Sequence, residues 1–537
     1  MPERAGGHEQ ALAARGVRKG LGAYYTPPDV VAGLLDLVLD PILAARAGHG
    51  VEAVAGVRVL DPACGTGNFL VAAAERIARV LVALGVADDE ARRLAVRAVR
   101  GVEIDDGTAR LCRAALRAVH PDGGGRTVVR ADALLGDAVP RGSFDLVIGN
   151  PPFLSQLAAS TARSRGDAER LRSRFGPAVG PYTDPAAVFL LAALRAARPS
   201  GGTVALVEPV AVLSARDARG VRTTSLEDAS LTALWVAESP VFDADVEVCA
   251  PVLVRGVDRG ATEVVRGRRF ERGVVAPAPE PAAASWSSLL AALQDLPVRE
   301  LRTSGVLGDV AEATADFRDQ YYGLAGSVVD EPEGTAPRLV TSGLIDPAAL
   351  LWGERSCRFN KVTYEHPRVA LDGLEPALQG WAARRLVPKV LVATQTRVLE
   401  AIVDDTGALL PSVPVVTVTA RHDRPEERWR IGALLCSPPV ALVAAHRHLG
   451  AGRNATALRL SASDLMALPL PADLEAWDGA AAAFAAASSA TDPEERGALL
   501  RRSAAAMTAA FGLGDDAGLV AWWEDRLPQT RVGTRGP

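Results

Sequence analysis

Between about residues 56 and 255, short β-branched runs alternate with Ala-, Leu- and Arg-rich stretches of helical spacing. "VRVLDP", "VRGVEID", "TVVRADAL", "FDLVIGNP", "GTVALVEP" and "LTALWVAE" read as strands. "NFLVAAAERIARVLVAL", "DGTARLCRAALRAV" and "DPAAVFLLAALRAAR" read as helices. A helix between successive strands makes each connection long enough for parallel pairing, and strands apolar on both faces need cover on both. The pattern therefore predicts an α/β fold: a mostly parallel sheet with helices on both faces and right-handed crossovers.

Chemistry gathers where these strands end. "VRVLDPACGTGNFL" runs from a strand into Asp61, then a Gly-rich turn, then a helix starting near Asn68. Gly65 and Gly67 permit positive φ and close approach of a ligand to the backbone. The helix start behind them offers free N–H groups. In an open parallel sheet this is where nucleotides bind. Two departures argue against a pyrophosphate. Leu70 stands where a GxGxxG loop has its third glycine, and the acid Asp61 precedes the glycines. An acid there suits a ligand with an ammonium group.

In "GVEID", Glu103 closes the apparent second strand, where a carboxylate can accept from both hydroxyls of a ribose. Asp105 can cap the next helix. In "VVRADALL", Asp132 closes another strand and could accept from an adenine amino group. Each acid has a plain structural alternative, as a turn or cap residue. Three acids closing successive strands in chain order describe one adenosine-containing ligand across the sheet's carboxyl edge.

"FDLVIGNPPF", Phe144 to Phe153, ends differently. Pro151 and Pro152 cannot donate backbone hydrogen bonds, so the strand stops there. It ends in a rigid tetrapeptide carrying one amide, two prolines and an aromatic ring.

The chain's 537 residues exceed one ordinary domain, and length alone suggests roughly two to four. Five scattered cysteines, with no CxxC pair, argue against a zinc site or a disulfide framework. A net charge of −5 neither supports nor excludes a nucleic-acid partner. No apolar run is long enough for a bilayer, and the polar N-terminus lacks a signal-peptide core. The expectation is a cytoplasmic protein with no membrane and no metal. We divide the chain into an N-terminal helical segment (1–55), a catalytic domain (56–270), a linker (271–299) around "APAPEPAAASWSS", a mixed α+β domain (300–472) and a helical tail (473–537).

"DPACGTGNFL", "GVEID", "RADALL" and "FDLVIGNPPF", in that order, resemble the amino-group DNA methyltransferases that act on adenine. Upstream, "GAYYTP" (Gly22 to Pro27) resembles the segment that precedes the cofactor loop in the gamma arrangement, as in type I modification subunits and TaqI-like type II enzymes. "DPAAVFLLAALRAARPSGGTVALVEP" and "PVFDADVEVCAPVLV" resemble the later motifs, and the C-terminal match to target-recognition domains is looser.

The resemblance implies a Rossmann-like domain that binds S-adenosylmethionine (SAM), followed by a DNA target-recognition domain. Cofactor contacts would come from Tyr25, Thr26, Pro27, Asp61, Ala63, Gly65, Gly67, Glu103, Ile104, Asp132 and Ala133. Catalysis would fall to Asn150, Pro151, Pro152 and Phe153, with Phe153 and Phe242 stacking on an extruded base. The implied partners are double-stranded DNA and a separate restriction or specificity subunit. Competing readings are an RNA or protein-glutamine methyltransferase and a non-catalytic DNA-binding protein that keeps the fold. No PD…ExK pattern precedes "GAYYTP", so cleavage would need another subunit.

Overall fold

Strands of the first half form one sheet of ten. In chain order they are β1 (Val59–Asp61), β2 (Val99–Glu103), β3 (Val128–Arg130), β4 (Leu146–Gly149), β5 (Thr203–Leu206), β6 (Glu208–Pro209), β7 (Ala229–Val236), β8 (Val248–Arg255), β9 (Ala261–Arg266) and β10 (Glu271–Pro277). The spatial order is β10-β9-β7-β8-β5-β4-β1-β2-β3, with β6 paired to β8. From β3 to β5 all neighbours are parallel. Beyond β5, strand β8 runs antiparallel to both its neighbours. The protein is thus the expected mostly parallel α/β fold, with antiparallel pairing at one side. The structure, a computed structural model, describes residues 26–125, 127–153, 165–237, 241, 247–280, 285–316, 318–449 and 457–528.

Helices α1 (Pro28–Ala47), α2 (Asn68–Ala83), α3 (Asp88–Ala98), α4 (Asp106–Val119), α5 (Pro185–Ala196) and α6 (Arg219–Asp228) cover the sheet. Strand alternation sorts the two faces. Val59, Leu146, Ile148, Ala205 and Val207 share a core with Leu34, Leu35 and Leu39 of α1 and with Phe69, Leu70 and Ile77 of α2. Residues 28–47 are therefore part of the core of this sheet. On α5 nearly every residue is buried, as befits a helix covered on its outer side too. Helix α3 was not evident from the sequence, because its buried stripe is only Ala91, Ala95, Val96 and Ala98 in a strongly charged segment.

Two compact units emerge, residues 1–294 with 453–455, and residues 295–452 with 456–537. The expected linker 271–299 needs correction. It carries β10 and a helix, Ser287–Leu293. Trp286 is fully buried, and its backbone N–H donates to the Leu213 carbonyl at 2.6 Å. The Pro- and Ala-rich stretch had obscured the β-forming "ERGVVAP" before it.

The second unit holds two four-stranded sheets. One orders Ala311–Ala315, Val416–Ala420, Lys389–Ala393 and Glu400–Asp404, all antiparallel. It buries an ion pair, Lys389 Nζ to Asp404 Oδ2 at 2.5 Å. The helices Leu474–Ser489, Pro493–Ala510 and Ala517–Glu524 belong to this unit rather than to a separate tail. Trp477 Nε1 donates to the Arg430 carbonyl at 2.9 Å. No helix among the described residues is long and apolar enough to cross a membrane.

The first unit treats buried acids differently at its two ends. Before β4, at the amino end, Asp145 accepts from the Arg58 N–H at 2.8 Å and pairs with Arg46 at 2.9 Å and Arg198 at 2.8 Å. At the carboxyl end, Glu208 in β6 is 0% exposed and neither carboxyl oxygen has a hydrogen-bond partner among the described residues. Burial holds its pKa far above the usual carboxylate range, and the nearby Asp184 charge adds to this. The folded state therefore keeps a proton that the unfolded chain releases. Stability from this group is full below the ordinary carboxylate pKa and falls as pH rises above it. Replacing Glu208 by Met removes the unsatisfied group, so Glu208→Met is expected to raise stability by about 1–3 kcal/mol near pH 8. The gain should shrink toward pH 4, as measured by calorimetric unfolding at both pH values.

Candidate functional site

Strand β1 pairs with β2 on one side and β4 on the other. The chain connections after these strands run to opposite sides, which opens a crevice at their carboxyl ends. Asp61 ends β1, Glu103 ends β2, and Asn150 follows directly on β4. The three therefore meet at one sheet edge, as their order in the sequence predicts. Packing explains why Gly149 must precede Asn150. A Cβ at position 149 would lie 2.4 Å from Asp61 Oδ1.

The glycine loop is tied down by the two acids beneath it. Asp61 Oδ1 accepts from the Ala63 N–H at 3.0 Å. Glu103 Oε2 accepts from the Gly65 N–H at 3.0 Å, and its Oε1 accepts from the Asp105 N–H at 2.9 Å. Gly65 has φ 53° and Gly67 has φ 96°, conformations that favour glycine. Gly67 is also the residue before α2, and a Cβ on it would lie 2.7 Å from Cys112 Sγ. A Cβ on Gly65 would meet nothing within 4 Å, so that side of the loop is open. Cys64 is buried beneath, and hydrogen bonding with Cys112 and burial keep its thiol neutral.

Electrostatics separate the acids by role. Asp61 is 2% exposed, with no cation paired to it among the described residues. Burial raises its pKa to about 8, with the neighbouring Glu103 adding to the shift. Burial also raises Glu103, against the pull of its backbone donors. Asp105 is lowered by hydrogen bonds from Thr108, whose N–H it caps at 2.7 Å at the start of α4. Both raised carboxyls lie at the crevice, where a cation could take their charged forms.

Asp132 sits two residues beyond the end of β3, rather than on the strand. Its Oδ1 accepts from the Leu134 N–H at 2.8 Å and the Leu135 N–H at 2.9 Å, so one oxygen serves the turn. Ala133 beside it is buried, whereas Ile104 is 58% exposed and offers an apolar face at the end of β2.

Asn150 is half-buried, and its Nδ2 donates to Thr26 Oγ1 at 3.0 Å. That bond brings the end of "GAYYTP" onto the tetrapeptide. Phe153 is half-buried and packs against the core shared by α1 and α2. Tyr25 and Phe242 lie outside the described residues. Gly149, Cys112 and Glu208 were not singled out from the sequence. Gly149 was visible in "IGNPPF", but its reason is the Asp61 carboxyl, which only the tertiary structure supplies. No cluster of His, Cys, Asp or Glu that could hold a metal occurs among the described residues.

The sequence profile of the N-6 DNA Methylase family matches residues 10–265, which contain the whole of this site. That segment is similar to the N-6 DNA methylase family. No curated protein matches the chain. Among solved structures, the chain is similar in fold to the type IIL restriction-modification enzyme MmeI in complex with DNA, at 14% identity and TM-score 0.65, covering 95% of this chain and 79% of that one. It is similar to a nuclease-deletion mutant of the type ISP restriction-modification enzyme LlaGI, at 11% identity and TM-score 0.56. The same holds for DrdV in a DNA complex, at 12% identity and TM-score 0.51. The chain covers 55% of the LlaGI chain and 57% of the DrdV chain, and these two alignments take in 87% and 88% of this one.

A cationic ligand beside Asp61 would stabilise its ionised form and so displace the proton that burial favours there. Affinity for SAM is therefore expected to rise as pH increases toward about 8, the value to which Asp61 is raised. Binding should release protons to the buffer. Titration calorimetry in buffers of different ionisation enthalpy measures that release, and Asp61→Asn should reduce it.

Proposed function

We propose that this chain transfers a methyl group from SAM to the exocyclic N6 amine of an adenine flipped out of double-stranded DNA. The carrying observation is the position of Asn150. Its amide follows β4 at the crevice where the open glycine loop and the raised carboxyls of Asp61 and Glu103 converge. The residues fit the cofactor. Gly65 and Gly67 would let it approach the loop, Asp61 would face its positive charge, Glu103 its ribose hydroxyls, and Asp132 and Ile104 its base. When bound, SAM supplies an electrophilic methyl group on a sulfonium.

The adenine amine is a poor nucleophile, because its lone pair is delocalised into the ring. The Asn150 side-chain oxygen and the Pro151 carbonyl would accept from its two N–H bonds and draw it toward a tetrahedral geometry. Prolines at 151 and 152 restrict the loop's φ angles, so these acceptors are preorganised. An amide at position 150 accepts without acting as a strong base. The methylated ammonium is acidic, so its proton can leave afterwards. Stacking on Phe153 would hold the base at roughly 1–3 kcal/mol. Phe242 would help to hold it, and extrusion from the duplex is required for access.

The second unit would read the target sequence. Arg358 and Asn360 lie on the hairpin Cys357–Phe359 and Val362–Tyr364, with Asn360 at φ 45° in its turn. Gln395 and Arg397 are exposed between the strands Lys389–Ala393 and Glu400–Asp404. Such side chains can contact bases or phosphates. We place the activity in restriction-modification or phage defence.

Purified protein is expected to transfer labelled methyl from SAM to unmethylated DNA, with the label recovered as N6-methyladenine. Asn150→Ala should reduce transfer by at least about a hundredfold, the usual effect of losing a preorganised acceptor or donor at a reacting centre. SAM binding should be largely kept. Label in RNA or protein but never in DNA would overturn the reading.

A further inference from the structure

We propose that Thr26 is a positioning residue that decides which end of the Asn150 amide faces the target amine, and that a bound methyl donor strengthens this choice. The inference rests on the role given to Asn150 above. The two ends of an amide have nearly the same shape and opposite hydrogen-bonding sense. Only the oxygen end can accept from an adenine N–H. With the nitrogen end turned inward, donor would face donor and the clamp would fail.

Thr26 bears on this choice directly. Asn150 Nδ2 donates to Thr26 Oγ1 at 3.0 Å across 124 residues of sequence. Thr26 is 5% exposed, so water competes little for the contact. Both partners stand before paired prolines, in "TPP" (Thr26 to Pro28) and "NPP" (Asn150 to Pro152). A residue before proline is confined to extended backbone, and proline's own φ is fixed. Pro27 has φ −57° and ψ 146° and leads straight into α1, which is anchored in the core. The hydrogen bond therefore joins two stiff corners, and neither side chain can drift far from the other.

A hydroxyl can accept from an amide nitrogen or donate to an amide oxygen, so Thr26 alone leaves both orientations accessible. The hydroxyl's own hydrogen biases that choice. No acceptor for it occurs among the described residues. A ligand acceptor beside Thr26, such as the carboxylate of an amino-acid-bearing methyl donor, would take that hydrogen. Thr26 could then act toward Asn150 only as an acceptor. Nδ2 would be held against Thr26, and the oxygen would be left facing the base. Donor binding would thus set the clamp before the adenine arrives.

The test compares Thr26→Val, which is nearly the same shape but lacks the hydroxyl, with Thr26→Ser, which keeps it. Turnover is measured at saturating SAM and DNA, and SAM dissociation constants are measured separately by calorimetry. Thr26→Val is expected to lower kcat by about tenfold, the effect of one oriented hydrogen bond. Thr26→Ser should stay close to wild type. In an Asn150→Asp background both ends of the side chain are oxygens, so adding Thr26→Val should change the remaining single-turnover rate little. The proposal is overturned if Thr26→Val weakens SAM binding but leaves kcat unchanged, or if Thr26→Ser is as damaging as Thr26→Val. A wild type that methylates adenine, an inactive Asn150→Ala and a normal kcat for Thr26→Val would sink this inference alone. A wild type inactive on DNA would sink the underlying reading.

Discussion

The site depends on one close contact, the Asp61 carboxyl packed against a residue with no side chain. Asp61 ends β1 and Gly149 ends β4, and any Cβ at 149 would collide with the carboxyl. The contact brings the two strands side by side at the point where their connections diverge. From β1 the chain enters the glycine loop, and from β4 it enters the Asn-Pro-Pro corner. On the proposed function, a methyl-donor loop and a base clamp would then be neighbours by construction. Neither needs a conformational change to find the other, which is what preorganised catalysis requires.

That arrangement is stored at a cost. At the amino end of the sheet, Asp145 is matched by two arginines and a backbone N–H. At the carboxyl end, Asp61 and Glu208 are buried without a cation among the described residues, and burial raises both pKa values. Packing alone would favour apolar residues there. Unsatisfied polar groups tend to persist where a ligand or a reaction uses them, and the rest of the fold supports them. On the proposed function the use of Asp61 would be electrostatic, with a cationic ligand supplying the missing charge. Glu208 is one residue past Val207, whose N–H donates to the Gly149 carbonyl at 2.9 Å. It therefore flanks the same corner, although the proposed mechanism assigns it no role.

Much of the first unit was legible because its signals are local. The helices from Asn68, Asp106 and Pro185 follow apolar periodicity and clear start signals, and the structure places them within a residue or two of those limits. Asp61 and Glu103 were legible from where their strands stop. Asp132 was harder, because an Asp after a strand can cap a turn as well as bind a ligand, and here one oxygen caps. Helix α3 was hidden by a stripe made mostly of alanines. Strand β10 was hidden by the proline-rich run after it. The Thr26–Asn150 bond links motifs 124 residues apart, and no local pattern announces it. The second unit was least legible, since strands such as Ala311–Ala315 and Val416–Ala420 pair across about a hundred residues with no rhythm between them.

The most direct measurement of the central claim is long-read sequencing of DNA from a methylation-deficient host that expresses either the wild-type chain or Asn150→Ala. The account predicts N6-methyladenine at one defined sequence context with the wild type, and none with the variant. Modification of cytosine instead, or adenine methylation that survives the loss of the Asn150 amide, would contradict it.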